Sequence, residues 1–396
     1  MKYFFILGKN KELSLAELCS VFGYQNLKYN GGDAAFLESK ERINADETIQ
    51  RLGGTIKIGI VKEKSDIENK KEAEDKITDI ILSKGENFEG KFKFGISQYG
   101  KKRMIDPGKV GMEIKNTLKD RNISSRMVTG RDKNLSSVIV EQNKLIGRGV
   151  EVVLMKKDGE ILIGETLAVQ PFKELSRRDY GRPARDDYSG MLPPKLAQIM
   201  INLGGRGNKR IFDPFCGSGT VLSEALLMGY RDILGNDISS KAVKDTAQNL
   251  KWTTEKYNIP DYNLSLFNRD ASEASEFIEK DYPDLIVTET YLGPSRGRIN
   301  VQKTAPQLSS LYSKCLAELA KILKKKGRIV MAWPIFYPEN PDKRTFLNPD
   351  ISELKIIPPL PSELKIESNT QSPERRSIVY GRANQKVWRE IIILKK

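Results

Sequence analysis

"KRIFDPFCGSGTVLSEAL", residues 209–226, holds an apolar run ending in Asp213, then Cys216-Gly217-Ser218-Gly219, then a helical pattern from about Thr220. Glycines there let the backbone approach a ligand closely, and the first turn of the helix offers unpaired N–H groups. Open α/β sheets bind ligands at such carboxyl ends of strands. What the loop lacks narrows the ligand. A dinucleotide fingerprint requires glycine where Leu222 stands, and no Gly-Lys-Ser/Thr follows as in a Walker loop.

Outward from this stretch the strand-then-helix pattern repeats. Strands are predicted at Arg210–Phe212, Ile233–Asn236, Leu264–Asn268, Leu285–Thr288 and Arg328–Ala332, with helices between them. That alternation specifies a parallel sheet covered on both faces. "SIVYGRANQKVWREIIIL", residues 377–394, reads as an appended β-hairpin. The second strand ends in Asp237, 20 residues after Gly217, where an acid accepts both ribose hydroxyls of an adenosine group. The third leads to Asp270, placed to accept from an adenine amino group. Three helix N-caps would put the same acids in the same places, and the pattern alone leaves both readings open.

The first 170 residues follow another plan. A strand at Tyr3–Leu7 precedes Ser14-Leu15-Ala16-Glu17, a capping box that predicts a helix start. Residues 62–85 read as an amphipathic surface helix with Ile77, Ile80, Ile81 and Leu82 on its apolar side. Phe92, Phe94 and Ile96 alternate as in a half-buried strand. Val110, Ile114 and Leu118 stand at helical spacing, and residues 136–170 read as a succession of short strands. The expected organisation is an N-terminal segment 1–55, an α+β module 56–170, a Pro- and Gly-containing linker 171–190 and an α/β domain 191–396.

Composition sets the class. A chain of 396 residues with 39% hydrophobic and 30% charged residues has the make-up of a soluble globular protein. No stretch approaches the roughly 18 apolar residues of a membrane span, and "MKYFFILGKN" reads as a first strand rather than a signal peptide. Cys19, Cys216 and Cys315 show no disulfide or metal spacing, which fits a reducing, cytoplasmic setting. Histidine is absent, which excludes histidine-based triads and most zinc sites, so no metal is expected. The net charge is +14 and unevenly placed: residues 91–150 hold 14 Lys/Arg against 5 Asp/Glu, residues 1–90 hold 14 against 16. Such a basic island predicts a polyanion partner.

"DPFCGSGT", "GNDIS" and "RDAS" resemble the first three motifs of class I S-adenosylmethionine-dependent methyltransferases. The terminal hairpin resembles the reversed strand that separates their Rossmann-like fold from dinucleotide-binding ones. More narrowly, nearly the whole chain resembles the tRNA guanosine N2-methyltransferases that carry an N-terminal THUMP domain and modify a guanosine near the D-arm. "GKNKELSLAEL" is similar to their ferredoxin-like opening, and "FGISQYG", "LSSVIVEQNKL" and "GVEVVL" to their THUMP module. "RDYGRPARDDYSGMLPPKLAQIMINL" resembles their linker and the helix after it, and "VYGRANQKVWREI" their last hairpin. The resemblance implies S-adenosyl-L-methionine as cofactor and RNA, specifically tRNA, as partner. It places Asp213, Cys216, Gly217, Gly219, Asp237, Ile238, Asp270 and Ala271 around the cofactor, and Lys101, Lys102, Arg103, Arg126 and Arg131 on RNA.

In that family the fourth strand ends in Asp-Pro-Pro-Tyr. The first side chain and the second residue's carbonyl accept the hydrogens of the target amine, and the aromatic ring stacks on the base; these are positioning and electrostatic effects. This chain carries Thr288-Glu289-Thr290-Tyr291. Tyr291 keeps the ring, and Gly293 and Pro294 keep the turn. The prolines are gone and the acid has moved by one residue, which turns it to the other face unless the loop rearranges. Thr288, Glu289 and Tyr291 are the expected catalytic residues of an active, modified site. An RNA-binding relative with a retired site and a DNA amino-methyltransferase are the competing readings. Trp333 and Phe336 either wall the base pocket or pack the core, and Cys216 reads as a packing residue. Arg182 and Arg185 either touch RNA phosphate or decorate the linker.

Overall fold

The computed structural model describes residues 1–29, 31–86, 88–100, 102–185, 191–207, 209–293, 299–336, 344–364, 371–372, 375–381, 385 and 387–396. They form two units, one built chiefly from Phe22–Phe172 with the N-terminal strand, the other chiefly from Lys173–Ser362 with the C-terminal hairpin.

In the first unit, strands β1 (Lys2–Leu7), β2 (Leu27–Lys28), β3 (Ala34–Glu38), β4 (Thr55–Asp66), β5 (Phe92–Tyr99), β6 (Ser125–Val128), β7 (Gly149–Lys157) and β8 (Glu160–Val169) make a single sheet, in the order β2-β3-β1-β4-β8-β7-β5-β6. β4 pairs with β1 on one side and β8 on the other, so the sheet runs continuously through both the 1–55 and 56–170 segments. The helices are α1 (Lys11–Phe22), whose Ala16–Val21 stretch groups with the second unit, α2 (Ala45–Arg51), α3 (Lys70–Gly85), α4 (Pro107–Asp120) and α5 (Ser137–Gln142).

Four local expectations shift here. α1 starts before the capping box, because Asn10 Oδ1 accepts the Leu13 N–H at 3.0 Å. Ser14 then lies inside the helix, its Oγ 2.7 Å from the Gly54 carbonyl. The charged stretch 62–85 is half strand: pairing with β8 holds Lys62–Asp66 extended, and the helix begins after Asn69, whose side chain accepts the Glu72 N–H at 3.1 Å. The stretch 136–170 opens with α5, capped by Ser136, and continues as two long strands joined at Asp158-Gly159, both at positive φ. β5 is buried on both faces rather than half-buried. Phe92, Phe94 and Ile96 join a core with Val110, Ile114 and Leu118 of α4, while Ser97 on the opposite side hydrogen-bonds the buried Glu151.

The second unit contains α6 (Phe172–Tyr180), α7 (Pro194–Leu203), β9 (Arg210–Asp213), α8 (Thr220–Leu227), β10 (Asp232–Asn236), α9 (Ser240–Tyr257), β11 (Asn263–Phe267), β12 (Leu285–Glu289), α10 (Val301–Ile322) and β13 (Arg328–Phe336). β11-β10-β9-β12-β13 are parallel, as the alternation predicts. Between β11 and β12 a short 3-10 turn, Ala271–Glu276, stands in place of an α-helix. The hairpin strands Ser377–Tyr380 and Val387–Lys395 complete the sheet, the latter antiparallel to β13. Chain direction across the sheet reverses between β9 and β12, and such switch points open a crevice at the strands' carboxyl ends. Trp333 and Phe336 pack in the core with Tyr312, Leu316 and Ile392, and neither is among the described residues that line this crevice.

Candidate active site

A cleft of about 770 Å³ opens at those carboxyl ends. Its walls include Asp213, Cys216, Gly217, Asp237, Ile238, Asp270, Ala271, Glu289 and Tyr291, whereas Gly219 and Thr288 stand behind them.

The glycine loop is built by backbone geometry. Gly217 and Gly219 have φ of 52° and 80°, and a Cβ on Gly219 would come within 3.0 Å of Thr246. α9 supports the loop from behind: Thr246 donates to the Gly217 carbonyl at 2.8 Å, and Asn249 donates to the Ser218 carbonyl at 2.8 Å. Asn236 is fully buried and donates to the Pro214 and Arg269 carbonyls at 3.2 and 3.0 Å, tying the ends of three strands together. Sequence reading missed these three residues. Their signal is a polar side chain at a position whose spacing calls for an apolar one.

Asp237 accepts the Gly217 N–H at 3.0 Å through Oδ2 and the Ser239 N–H at 2.9 Å through Oδ1. Beside it Ile238 is 74% exposed, a large apolar group left facing solvent. Asp270 accepts the Ser272 N–H at 2.9 Å and also lines the cleft, so one residue both caps the turn and forms part of the wall. Asp213 is buried and accepts the Thr288 hydroxyl at 2.6 Å and the Phe215 N–H at 3.1 Å. Burial pushes its carboxyl up to about 7, and the nearby Asp237 and Glu289 charges push the same way. Burial also pushes up the Cys216 thiol, which suits a packing residue rather than a nucleophile.

Each member of the tetrapeptide has a distinct partner. Thr288 points inward to Asp213 as a donor. Glu289 lines the cleft and forms an ion pair with Arg389 of the terminal hairpin. Thr290 donates to the Tyr312 hydroxyl at 2.6 Å, and Tyr312 donates to the Tyr291 carbonyl at 2.6 Å. These hydrogen bonds fix the loop where prolines would fix it covalently. Tyr291 is 55% exposed at the mouth of the cleft. Pro294 lies outside the described residues.

α6 braces the glycine loop. Arg178 pairs with the buried Glu224 at 2.7 Å, and Arg182, 6% exposed, donates to the Thr220 hydroxyl at 2.6 Å. Arg182 therefore neither decorates a linker nor meets phosphate, while Arg185 is exposed with its guanidinium over the Tyr180 ring. In the first unit Lys102, Arg103, Arg126 and Arg131 are exposed, and Lys101 lies outside the described residues. Among the described residues no cluster of three His, Cys, Asp or Glu could hold a metal ion, and no helix is long and apolar enough to cross a membrane.

Residues 182–336 match the family model described as RMKL-like, methyltransferase domain. Residues 36–249, more than half of the chain, match a DNA methylase family model. The tRNA (guanine(10)-N2)-dimethyltransferase of Methanothermobacter thermautotrophicus is 35% identical over 148 residues, 37% of this chain and 40% of the relative. The probable tRNA (guanine(10)-N2)-dimethyltransferase of Methanothermococcus thermolithotrophicus is 30% identical over 142 residues, 35% of this chain and 78% of the relative. Against the Methanothermobacter, Methanocaldococcus jannaschii and Pyrococcus abyssi relatives the match spans 40%, 48% and 43% of their lengths, so under half of each. The crystal structure of TrmN from Thermus thermophilus superposes over the full length of both chains with a TM-score of 0.52 at 15% identity, a likeness of fold. The chain has the Rossmann-like methyltransferase fold, matches the DNA methylase model over more than half of its length and belongs to the family of the tRNA guanine-N2-methyltransferases.

Proposed function

We propose that this chain is a cytoplasmic S-adenosyl-L-methionine-dependent RNA methyltransferase that modifies N2 of a guanosine in tRNA. One observation carries the reading: a single cleft holds the glycine loop with its strand-end acids and, on the same wall, Glu289 and Tyr291. The residues fit the cofactor. Asp237 offers a preorganised carboxylate for ribose hydroxyls, Ile238 an apolar surface for a flat ring, and Asp270 with Ala271 the adenine edge. When bound, S-adenosyl-L-methionine supplies an electrophilic methyl group.

The chain's own residues do the rest. Tyr291 stacks on the target base, which must leave its stack to reach the cleft. Glu289 accepts a hydrogen of the exocyclic amine, which frees the nitrogen lone pair from conjugation with the ring and aims it. Thr288 acts from behind through Asp213. The 1–55 and 56–170 segments form the ferredoxin-like and THUMP-like RNA grip, with Lys101, Lys102, Arg103, Arg126 and Arg131 on phosphate. A DNA amino-methyltransferase is the second reading, favoured by the DNA methylase match over residues 36–249.

Mass spectrometry of tRNA nucleosides, with and without this protein, tests the proposal. N2-methylated guanosine should depend on the protein and be lost with Tyr291→Ala. Methylation of DNA alone would support the second reading. Cofactor binding with no transfer to any nucleic acid would mean a retired catalytic site.

A further inference from the structure

We propose that Arg389 is the positioning residue of the base site: it fixes the Glu289 carboxylate against the cleft. The inference rests on the methyltransferase reading above. Glu289 stands on the cleft wall with its side chain 14% exposed, and Arg389 stands behind it, 9% exposed and off the wall. The guanidinium reaches across β13 from the hairpin, since Glu289 pairs with Ala332 and Arg389 with Pro334.

The charges around Glu289 explain why a cation is needed. Asp213 approaches from β9, and the Tyr312 hydroxyl from α10; Tyr380, on the neighbouring hairpin strand, faces Arg389. Two carboxyls therefore meet in a largely dry place, and Arg389 is the cation among these groups. A carboxyl there without a counter-ion takes up a proton. A protonated Glu289 would present a donor to an amine whose hydrogens need acceptors. Arg389 engages Oε1 through Nε, and Oε2 is the carboxylate's second acceptor. This arrangement lets an acid one residue out of the family's register serve the cleft, and it gives the terminal hairpin a part in the site.

The test compares Arg389→Met, Arg389→Lys, Glu289→Gln and the double variant Arg389→Met/Glu289→Gln. Methyl transfer to tRNA is measured across pH at saturating cofactor, and S-adenosylhomocysteine affinity by calorimetry. Arg389→Met should slow transfer by about 100- to 1000-fold at neutral pH and leave S-adenosylhomocysteine affinity unchanged. The acid limb of the rate profile should move to higher pH. Arg389→Lys should restore most of the rate. In the Glu289→Gln background Arg389→Met should add no further loss. If Arg389→Met does not fold, Arg389→Gln carries the same comparison. An unmoved acid limb of the rate profile in an active enzyme, or an equal loss in both backgrounds, overturns the role of Arg389 alone. Absence of any transfer by the wild type overturns the functional reading and this role with it.

Discussion

Thr288 donates its hydroxyl hydrogen to Asp213 Oδ1 at 2.6 Å and so joins the end of β12 to the end of β9. Position 288 is where the family pattern carries aspartate. Thr288→Asp would set two carboxyls against each other in a buried place, where both cannot ionise. We expect it to cost about 3–5 kcal/mol of stability at alkaline pH, the usual penalty for an uncompensated buried charge. Chemical denaturation should show the loss shrinking as pH falls, and Thr288→Asn should be milder. A neutral effect of Thr288→Asp at alkaline pH would show that the 288 side chain does not face Asp213.

The raised Asp213 carboxyl gives a second expectation. Its folded value is about 7, against about 3.9 in an unfolded chain. Between these values the unfolded chain releases a proton that the folded chain keeps, so stability falls as pH rises from about 4 to about 7 and then levels. Asp213→Asn removes this dependence. The melting temperature of the variant relative to wild type should climb across that window and stay flat above it, as read by calorimetry.

Asp237 is already held by two backbone N–H groups, and this orients it before any ligand arrives. Asp237→Asn should weaken S-adenosylhomocysteine binding by about 1.5–3 kcal/mol for each charge-assisted hydrogen bond removed. Isothermal titration calorimetry showing equal affinity, or tighter binding of NAD, would remove Asp237 from the cofactor site.

The basic island gives a prediction that is independent of the cleft. With Lys102, Arg103, Arg126 and Arg131 changed to Ala, the slope of log tRNA affinity against log salt should fall by about 0.7–0.9 for each phosphate left without its cation. S-adenosylhomocysteine affinity should stay the same. An unchanged slope returns these side chains to the status of solvated surface.

The second unit was legible because its signals are local: an apolar run, an acid and a glycine loop fix each strand end within a few residues of sequence. Asp237 and Asp270 are placed at strand ends on the cleft by such signals. In the first unit long-range pairing overrides such signals. Lys62–Asp66 looks helical by composition, yet β8 holds it as strand. The tetrapeptide shows a different limit. Register alone turns Thr288 and Glu289 to opposite faces, but nothing near Glu289 in sequence announces Arg389, 100 residues away. Thr246 and Asn249 are hidden for a similar reason, since a polar residue on a helix declares its role only once the glycine loop lies against it.

The Arg178–Glu224 pair bears on where the chain can be divided. A piece that starts at residue 191 keeps every cleft-lining side chain, and by motif alone it is the whole catalytic half. It also strands Glu224 in the interior without its guanidinium, and truncation of one partner of a buried ion pair is strongly destabilising, at about 3–5 kcal/mol. A piece that starts at Lys173 retains Arg178 and Arg182 together. The stretch that keeps Glu224 paired is therefore longer than the stretch that carries the motifs, and a segment that reads as a tether supplies the interior's counter-ion.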